Sequence, residues 1–245
     1  MDPLLDHIPG TVAESPLDFE WDGADMHIGP AESQTRLYSA LLGKTYNGTI
    51  LIAAGVAAWG FQRLSHALRA DESMKLAEAA LLQMSDDRVL DLQVLRNEIT
   101  PDQPKTLSAQ RNLRELLGDA LHPPMWSRTL DQPASECFHL VHLVRHLLDP
   151  IHRKLFDDWL VALVARVDAA ASHPPLQEDD WDDSDVVVVE ARIRAFRGVP
   201  LPPDLLTGPC AIGDLPMLCA KYATPQRFDA NPYVRRQVAG VESGS

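Results

Sequence analysis

Thirteen consecutive residues, TILIAAGVAAWGF at 49–61, carry no charged side chain. A helix that crosses a bilayer needs about 20 apolar residues, and Lys44, Asn47, Gln62 and Arg63 flank this run closely. The segment therefore reads as a helix buried in a core, and no membrane role follows from it. Ile50, Ala54, Ala57, Phe61, Leu64 and Leu68 recur at helical spacing and mark a core-facing stripe. The small residues at 53–58 would let a neighbouring helix come close. Gly43, Gly48, Gly55 and Gly60 are costly inside a helix, so a break is expected near TYNG at 45–48.

Between Pro30 and Pro101 there is no proline, and beyond this interval the pattern stays helical. Further helices are expected at about 72–84, 86–98, 106–121, 134–149 and 151–171. Asp71 and Ser85 stand where N-caps would, since their short oxygens can accept from unpaired first-turn amides. Asp149 precedes Pro150 and is biased away from helical geometry, which divides 133–172 into two helices. Residues 186–196, VVVVEARIRAF, fit either a strand or a helix face, and a helix is favoured because no other strand is available to pair with them. From Pro200 onward seven prolines predict an extended arm with one short helix near 214–222. Leu205, Leu206, Leu218, Phe228 and Tyr233 argue that this arm packs on the body.

The expected fold class is all-α, a single irregular multi-helix domain. Its parts are an acidic N-terminal arm at 1–30, a helical core at 31–172, an acidic loop at 173–185, and a C-terminal helix or strand plus extended arm at 186–245. With 245 residues and 45% hydrophobic content, such a chain buries roughly 70–75% of the surface its unfolded form exposes. No export signal is evident, because the opening MDPLLDHIPG has no Lys or Arg and its apolar run is interrupted. A cytoplasmic protein is expected. Cys137, Cys210 and Cys219 are scattered without CxxC spacing and read as reduced core thiols.

The net charge of −13 is unevenly placed. Residues 1–35 hold eight acids and no Lys or Arg, and residues 178–190 hold seven acids and again no base. The rest of the chain is nearly neutral. Such a balance argues against direct binding to nucleic acid, whose affinity comes from Lys and Arg displacing counterions.

Three patterns are candidates for chemistry. His139, His142 and His146, with Asp149, fall within an arc of about 80° if one helix carries them all. Imidazoles on one face can bind zinc or iron, yet residues 142–146 read HLVRH where a zincin has HExxH. The plainer reading makes them the polar border of a helix that buries Leu140, Leu143, Val144, Leu147 and Leu148. EDDWDDSD at 178–185 alternates oxygen ligands like a calcium loop, but an EF-hand has Gly where Asp185 stands and Glu where Ala191 stands. Cys137 lies close to His139 in sequence but on a different helix face, and no GxSxG, GxxxxGK[ST] or GxGxxG occurs. No metal or cofactor is expected.

Each acidic tract contains a tryptophan, Trp21 beside Asp22 and Asp25, and Trp181 among Asp180, Asp182 and Asp183. Tryptophan supplies buried anchor area at interfaces, and surrounding carboxylates steer a basic partner. The expected function is a non-catalytic acidic binding module for a basic protein. Bacterial immunity proteins that neutralise nuclease toxins work on this logic, and the analogy is functional only. The alternatives are a metal-dependent helical enzyme using the His139, His142 and His146 face, and an adaptor or chaperone-like scaffold.

Overall fold

The computed structural model describes residues 2–19, 35–67, 70–85, 90, 105–121, 132–171 and 194–234. Among them there is no strand, and Leu90 and Val234 form an isolated antiparallel bridge. The all-α class is thus what the chain adopts.

The uncharged run becomes the middle of α3 (Tyr46–Leu64), in which every residue except Gln62 is buried. A helix apolar on all sides must be surrounded, so the stripe read from the sequence is only part of the buried surface. The expected break falls at 43–45, between α2 (Arg36–Leu42) and Thr45, whose hydroxyl caps α3 by accepting from the Gly48 amide at 3.1 Å. Gly48, Gly55 and Gly60 lie inside the helix instead of ending it. A Cβ at Gly55 would stand 2.7 Å from Leu206 Cδ2 and 3.0 Å from the Trp159 ring, and one at Gly60 would stand 2.7 Å from Leu113. Close approach of these neighbours offsets a propensity cost of about 1 kcal/mol per glycine.

Around α3 lie α4 (Ala70–Gln83), α5 (Lys105–Ala120), α6 (Gln132–Leu147) and α7 (Pro150–Ala171). All four match the expected spans to within about two residues. Trp159 sits against Gly55 and Val167 against Gly48, so α7 runs back along α3. The Tyr46 hydroxyl donates to the Leu121 carbonyl at 2.8 Å, and Gln83 Nε2 donates to both, which ties the start of α3 to the ends of α4 and α5. Asp71 lies within α4 and does not precede it. The helix expected at 86–98, which Ser85 would cap, falls outside the described residues apart from Leu90. Asp149 does separate α6 from α7: its Oδ1 accepts from the amides of Ile151 and His152 at 3.0 and 3.1 Å, an N-cap in which the carboxylate also suits the helix dipole.

Residues 2–19 look like part of a charged arm, yet they contribute Leu4, Ile8, Val12 and Phe19 to the core. The four-residue spacing of Leu4, Ile8 and Val12 is the signal that the charge count obscures. A short helix, α1 (Thr11–Glu14), lies in this segment. Arg63, at the end of α3, holds it in place. The guanidinium is fully buried and donates to the carbonyls of Val12 at 3.2 Å, Ser15 at 2.5 Å and Pro16, while its Nε donates to Leu147 at 2.9 Å.

Of the ambiguous segment 186–196, only 194–196 is described, and it belongs to a helical turn at 194–197. Gly198 follows at φ 71°, packed so tightly on Thr45 that a Cβ would clash. The C-terminal segment has more helix than the single one expected: α8 (Leu215–Tyr222) is followed by α9 (Pro225–Ala230), with 3-10 turns at Pro203–Leu206 and Ile212–Asp214. Proline at the first helical positions starts α8 and α9 instead of preventing them. The segment packs on the body as expected. Leu205, Leu206 and Tyr233 are buried, and the Leu206 carbonyl accepts from Trp159 Nε1 at 2.9 Å and from Arg166 at 3.1 Å. Arg227 pairs with Glu78 of α4 at 2.8 Å.

Replacing Arg63 by Met keeps most of the buried stem but leaves buried carbonyls without donors, at about 1–3 kcal/mol for each unsatisfied group. A loss of about 3 kcal/mol or more is expected, read as a melting temperature lower by about 10 °C. A melting temperature unchanged in the Met variant would mean that the guanidinium is not what secures residues 12–16.

Candidate functional site

Trp21, Asp22, Asp25, Asp180, Trp181, Asp182 and Asp183 all lie outside the described residues. What is described is how each acidic tract is tied to the body. The first follows Phe19, a buried ring with Lys105 Nζ 4.8 Å above its centroid and His146 edge-on at 6.2 Å. Lys105 also donates to the Phe19 carbonyl at 2.8 Å. Downstream the chain is caught again at Thr35, whose hydroxyl caps α2 by accepting from the Tyr38 amide at 3.1 Å.

The second tract lies between the end of α7 and the helical turn at 194–197. Near its first end Asp168 pairs with buried Lys44 at 2.5 Å. Beyond its second end Phe196 is buried against Tyr46, and the Gly198 carbonyl accepts from Asn47 at 3.1 Å. Lys44 stands just before α3 and Tyr46 and Asn47 open it, so the described residues on either side of this tract, Asp168 and Phe196–Gly198, both pack at one pole of the core. Phe19 is fixed beside the C-terminal turn of α6, which meets α3 at Arg63. The rise of α3 separates these two poles by about 27 Å.

The three histidines of α6 do not converge on a common point. His139 and His142 pack against the Phe138 ring at 5.3 and 4.5 Å, while His146 faces Phe19. Burial, with the charges of Arg145 and His139 beside it, lowers the His142 pKa from its ordinary value. Asp149 is not on their face, because α6 ends at Leu147 and the carboxylate turns to cap α7. Among the described residues no group of three or more His, Cys, Asp or Glu is placed to hold a metal ion. Leu140, Leu143, Val144, Leu147 and Leu148 are buried, as the border reading requires. Cys137 is buried too, and burial pushes its thiol far above the usual range, where a thiolate nucleophile is disfavoured. Cys210 and Cys219 are only half-buried, so the core assignment holds for Cys137 alone.

The sequence did not suggest a third constellation, because its members are far apart in the chain. His152 is buried, its Nδ1 lies 2.5 Å from Asp149 Oδ2, and its Nε2 lies 2.9 Å from the Thr11 hydroxyl. Burial alone would raise the Asp149 pKa, but the bonds from the His152 ring and amide hold the carboxyl well below its usual range. The carboxylate accepts the hydrogen bond from Nδ1 and thereby orients the ring, with Nε2 facing the Thr11 hydroxyl. This is the connectivity that activates hydroxyl nucleophiles. An oxyanion hole is also needed, and the two nearest amides, Val12 and Ala13, already donate to Pro9 and Gly10 at 3.0 and 3.3 Å. The three residues act as a clip that joins residues 2–19 to the first turn of α7.

Comparison with family models, with curated proteins and with solved structures returns no match to this chain. No helix among the described residues is long and apolar enough to cross a membrane.

The same N-terminal segment carries a buried imidazole. His7 stacks on Trp159 at 4.7 Å and 16°, its Nδ1 lies 3.1 Å from the Pro3 carbonyl, and its Nε2 is buried. Burial lowers its pKa to about 4 from 6.5 against opposing backbone hydrogen bonds at Pro3 and Gly55, with Arg166 adding to the lowering and Asp6 also opposing it. The unfolded chain therefore binds this proton more readily than the folded one between about 6.5 and 4. Stability should fall as pH drops through that window, by up to about 3 kcal/mol for this group. Urea unfolding at several pH values should show a shallower pH dependence for His7→Phe, which keeps the stacking and removes the titration. Parallel curves for the two proteins would remove His7 as a cause.

Proposed function

We propose that this chain is a non-catalytic acidic protein-binding module, an inhibitor or immunity-type protein that masks a basic partner such as a nuclease toxin. The observation that carries the reading is the segregation of charge. Fifteen acids and no base occupy two tracts, each with a tryptophan, on a chain that is otherwise nearly neutral. A solubility tail has no use for a large aromatic, whereas an interface anchor does.

The anchorage of the tracts supports the same reading. Part of the first tract, residues 20–34 with four of its eight acids, lies between Phe19 and Thr35, and the second lies between Asp168 and Phe196; these four flanking residues are held on the body. Fixing the ends of a segment lowers the entropy lost when a partner engages it. The ionic groups of the body with well-defined partners serve internal contacts: Arg63, Lys44, Glu78 with Arg227, and Asp149 with His152.

The test screens purified basic nuclease domains as partners and follows the association of one that binds by stopped flow. Replacing Asp180, Asp182 and Asp183 by Asn should lower the association rate, and rising salt should lower it for the parent protein, because exposed charges are screened beyond about 8 Å at physiological ionic strength. Trp181→Ala should raise the dissociation rate, with a loss on the order of 2 kcal/mol if the indole is a buried anchor. Corresponding changes at Trp21, Asp22 and Asp25 measure the share of the first tract. If Trp181→Ala instead lowers the melting temperature by several degrees and leaves affinity intact, Trp181 is a core residue and the proposal falls back on Trp21.

A further inference from the structure

The outward side of α7 is long, exposed and largely apolar. Ile151 is 74% exposed, Leu155 44% and Val161 72%, and Ala162, Ala165 and Ala169 are exposed with them. Ile151, Leu155, Asp158, Ala162, Ala165 and Ala169 alternate four- and three-residue steps, so they form one stripe within about 80° at 100° per residue. The opposite side of the helix, with His152, Phe156, Leu160, Leu163 and Val167, is buried against the body. Alternating steps of four and three are the spacing by which one helix presents a seam to another.

The order of residues along this seam identifies the occupant. Large side chains stand at its start and alanines at its end. An antiparallel second copy, related by a two-fold axis near Val161, lays Ile151 and Leu155 of each protomer over the alanines of the other. A parallel copy would set Ile151 against itself and leave alanine facing alanine. One edge of the seam repeats the pattern in charge. Lys154, Val161 and Asp168 are seven residues apart, so they share one flank. The same axis then brings Lys154 of each copy to Asp168 of the other, twice by symmetry, and sets Val161 against itself. The Lys154 and Asp168 side chains are 76% and 47% exposed and within reach of a partner. Lys154 pairs with Asp158 in its own helix at 2.7 Å, but a pair so exposed contributes little and can be exchanged.

We propose that α7 is the surface by which two copies of this chain pair, antiparallel and about a two-fold axis at Val161. With 22 residues the face is about 33 Å long. A two-helix contact of that length buries on the order of 1,000 Å² in total, the lower edge of specific interfaces. An interface at that edge is weak, so the dimer exchanges with monomer.

Sedimentation velocity of the full chain across a dilution series should show a monomer–dimer equilibrium. Val161→Lys places two like charges at the axis and should weaken pairing about tenfold or more, with the melting temperature unchanged because Val161 faces solvent. Lys154→Glu should also weaken pairing, and adding Asp168→Lys in the same chain should restore it. Because Asp168 also pairs with Lys44, the melting temperature of the double variant is measured alongside; Val161→Lys decides the matter on its own if that variant is unstable. A sedimentation coefficient that stays monomeric up to the solubility limit overturns the proposal. So does a dimer that is indifferent to Val161→Lys.

Discussion

A single guanidinium ties together three parts of the chain that also share the core: the N-terminal segment, the end of α3 and the end of α6. Arg63 ends α3 inside the protein, where a bare charge would be prohibitively costly. Its donors find the carbonyls that close α1 and the last turn of α6. Both are helix C-terminal ends, whose exposed carbonyls and negative dipole suit a cation. Burial lowers the Arg63 pKa from its ordinary value while the Asp149 carboxylate opposes that shift. Asp149 in turn caps α7 and holds His152, which holds Thr11. The N-terminal segment is thus gripped by Arg63 from one side and His152 from the other, and this grip fixes where Phe19 stops and the first acidic tract begins.

The remaining architecture follows from α3 having no polar side. Its neighbours must cover it completely, and the glycines let α5, α7 and the 3-10 turn at Pro203–Leu206 approach where a methyl group would not fit. Trp159 serves both ends of this arrangement: its ring lies over Gly55 while its Nε1 donates to Leu206. The C-terminal segment is therefore a missing wall of the core and not an appendage. Without it Trp159 and Arg166 would lose the Leu206 carbonyl as acceptor, and Gly55 would lose the Leu206 side chain packed against it.

Helices that bury one stripe were readable from spacing, which is why α4 to α7 fall close to where the pattern puts them. The uncharged run was readable as a core helix because length excluded a membrane span. Charge misled the reading of residues 2–19: eight acids in the first 35 residues outweighed Leu4, Ile8 and Val12, although those three alone are enough to seat the segment. The glycines of α3 could not be read either, since a glycine that breaks a helix and one that admits a tryptophan look alike until the neighbour is known. The Thr11, His152 and Asp149 clip was invisible for the same reason, its first and second members being 141 residues apart. Of the candidate site, the sequence locates the acidic tracts, while the structure adds the points at which they are tied down.

Those tie points have an electrostatic consequence. Lys44 and Arg63 are cations turned inward, so they offset little of the negative field outside. Like charges gathered in stretches of sequence that hold no Lys or Arg repel one another and work against the compact state. Salt screens that repulsion, so it favours the folded chain. It also screens the attraction of the tracts for a basic surface and so disfavours the encounter. The two effects have opposite signs for one cause, whereas a tract that merely kept the chain dissolved would produce only the first.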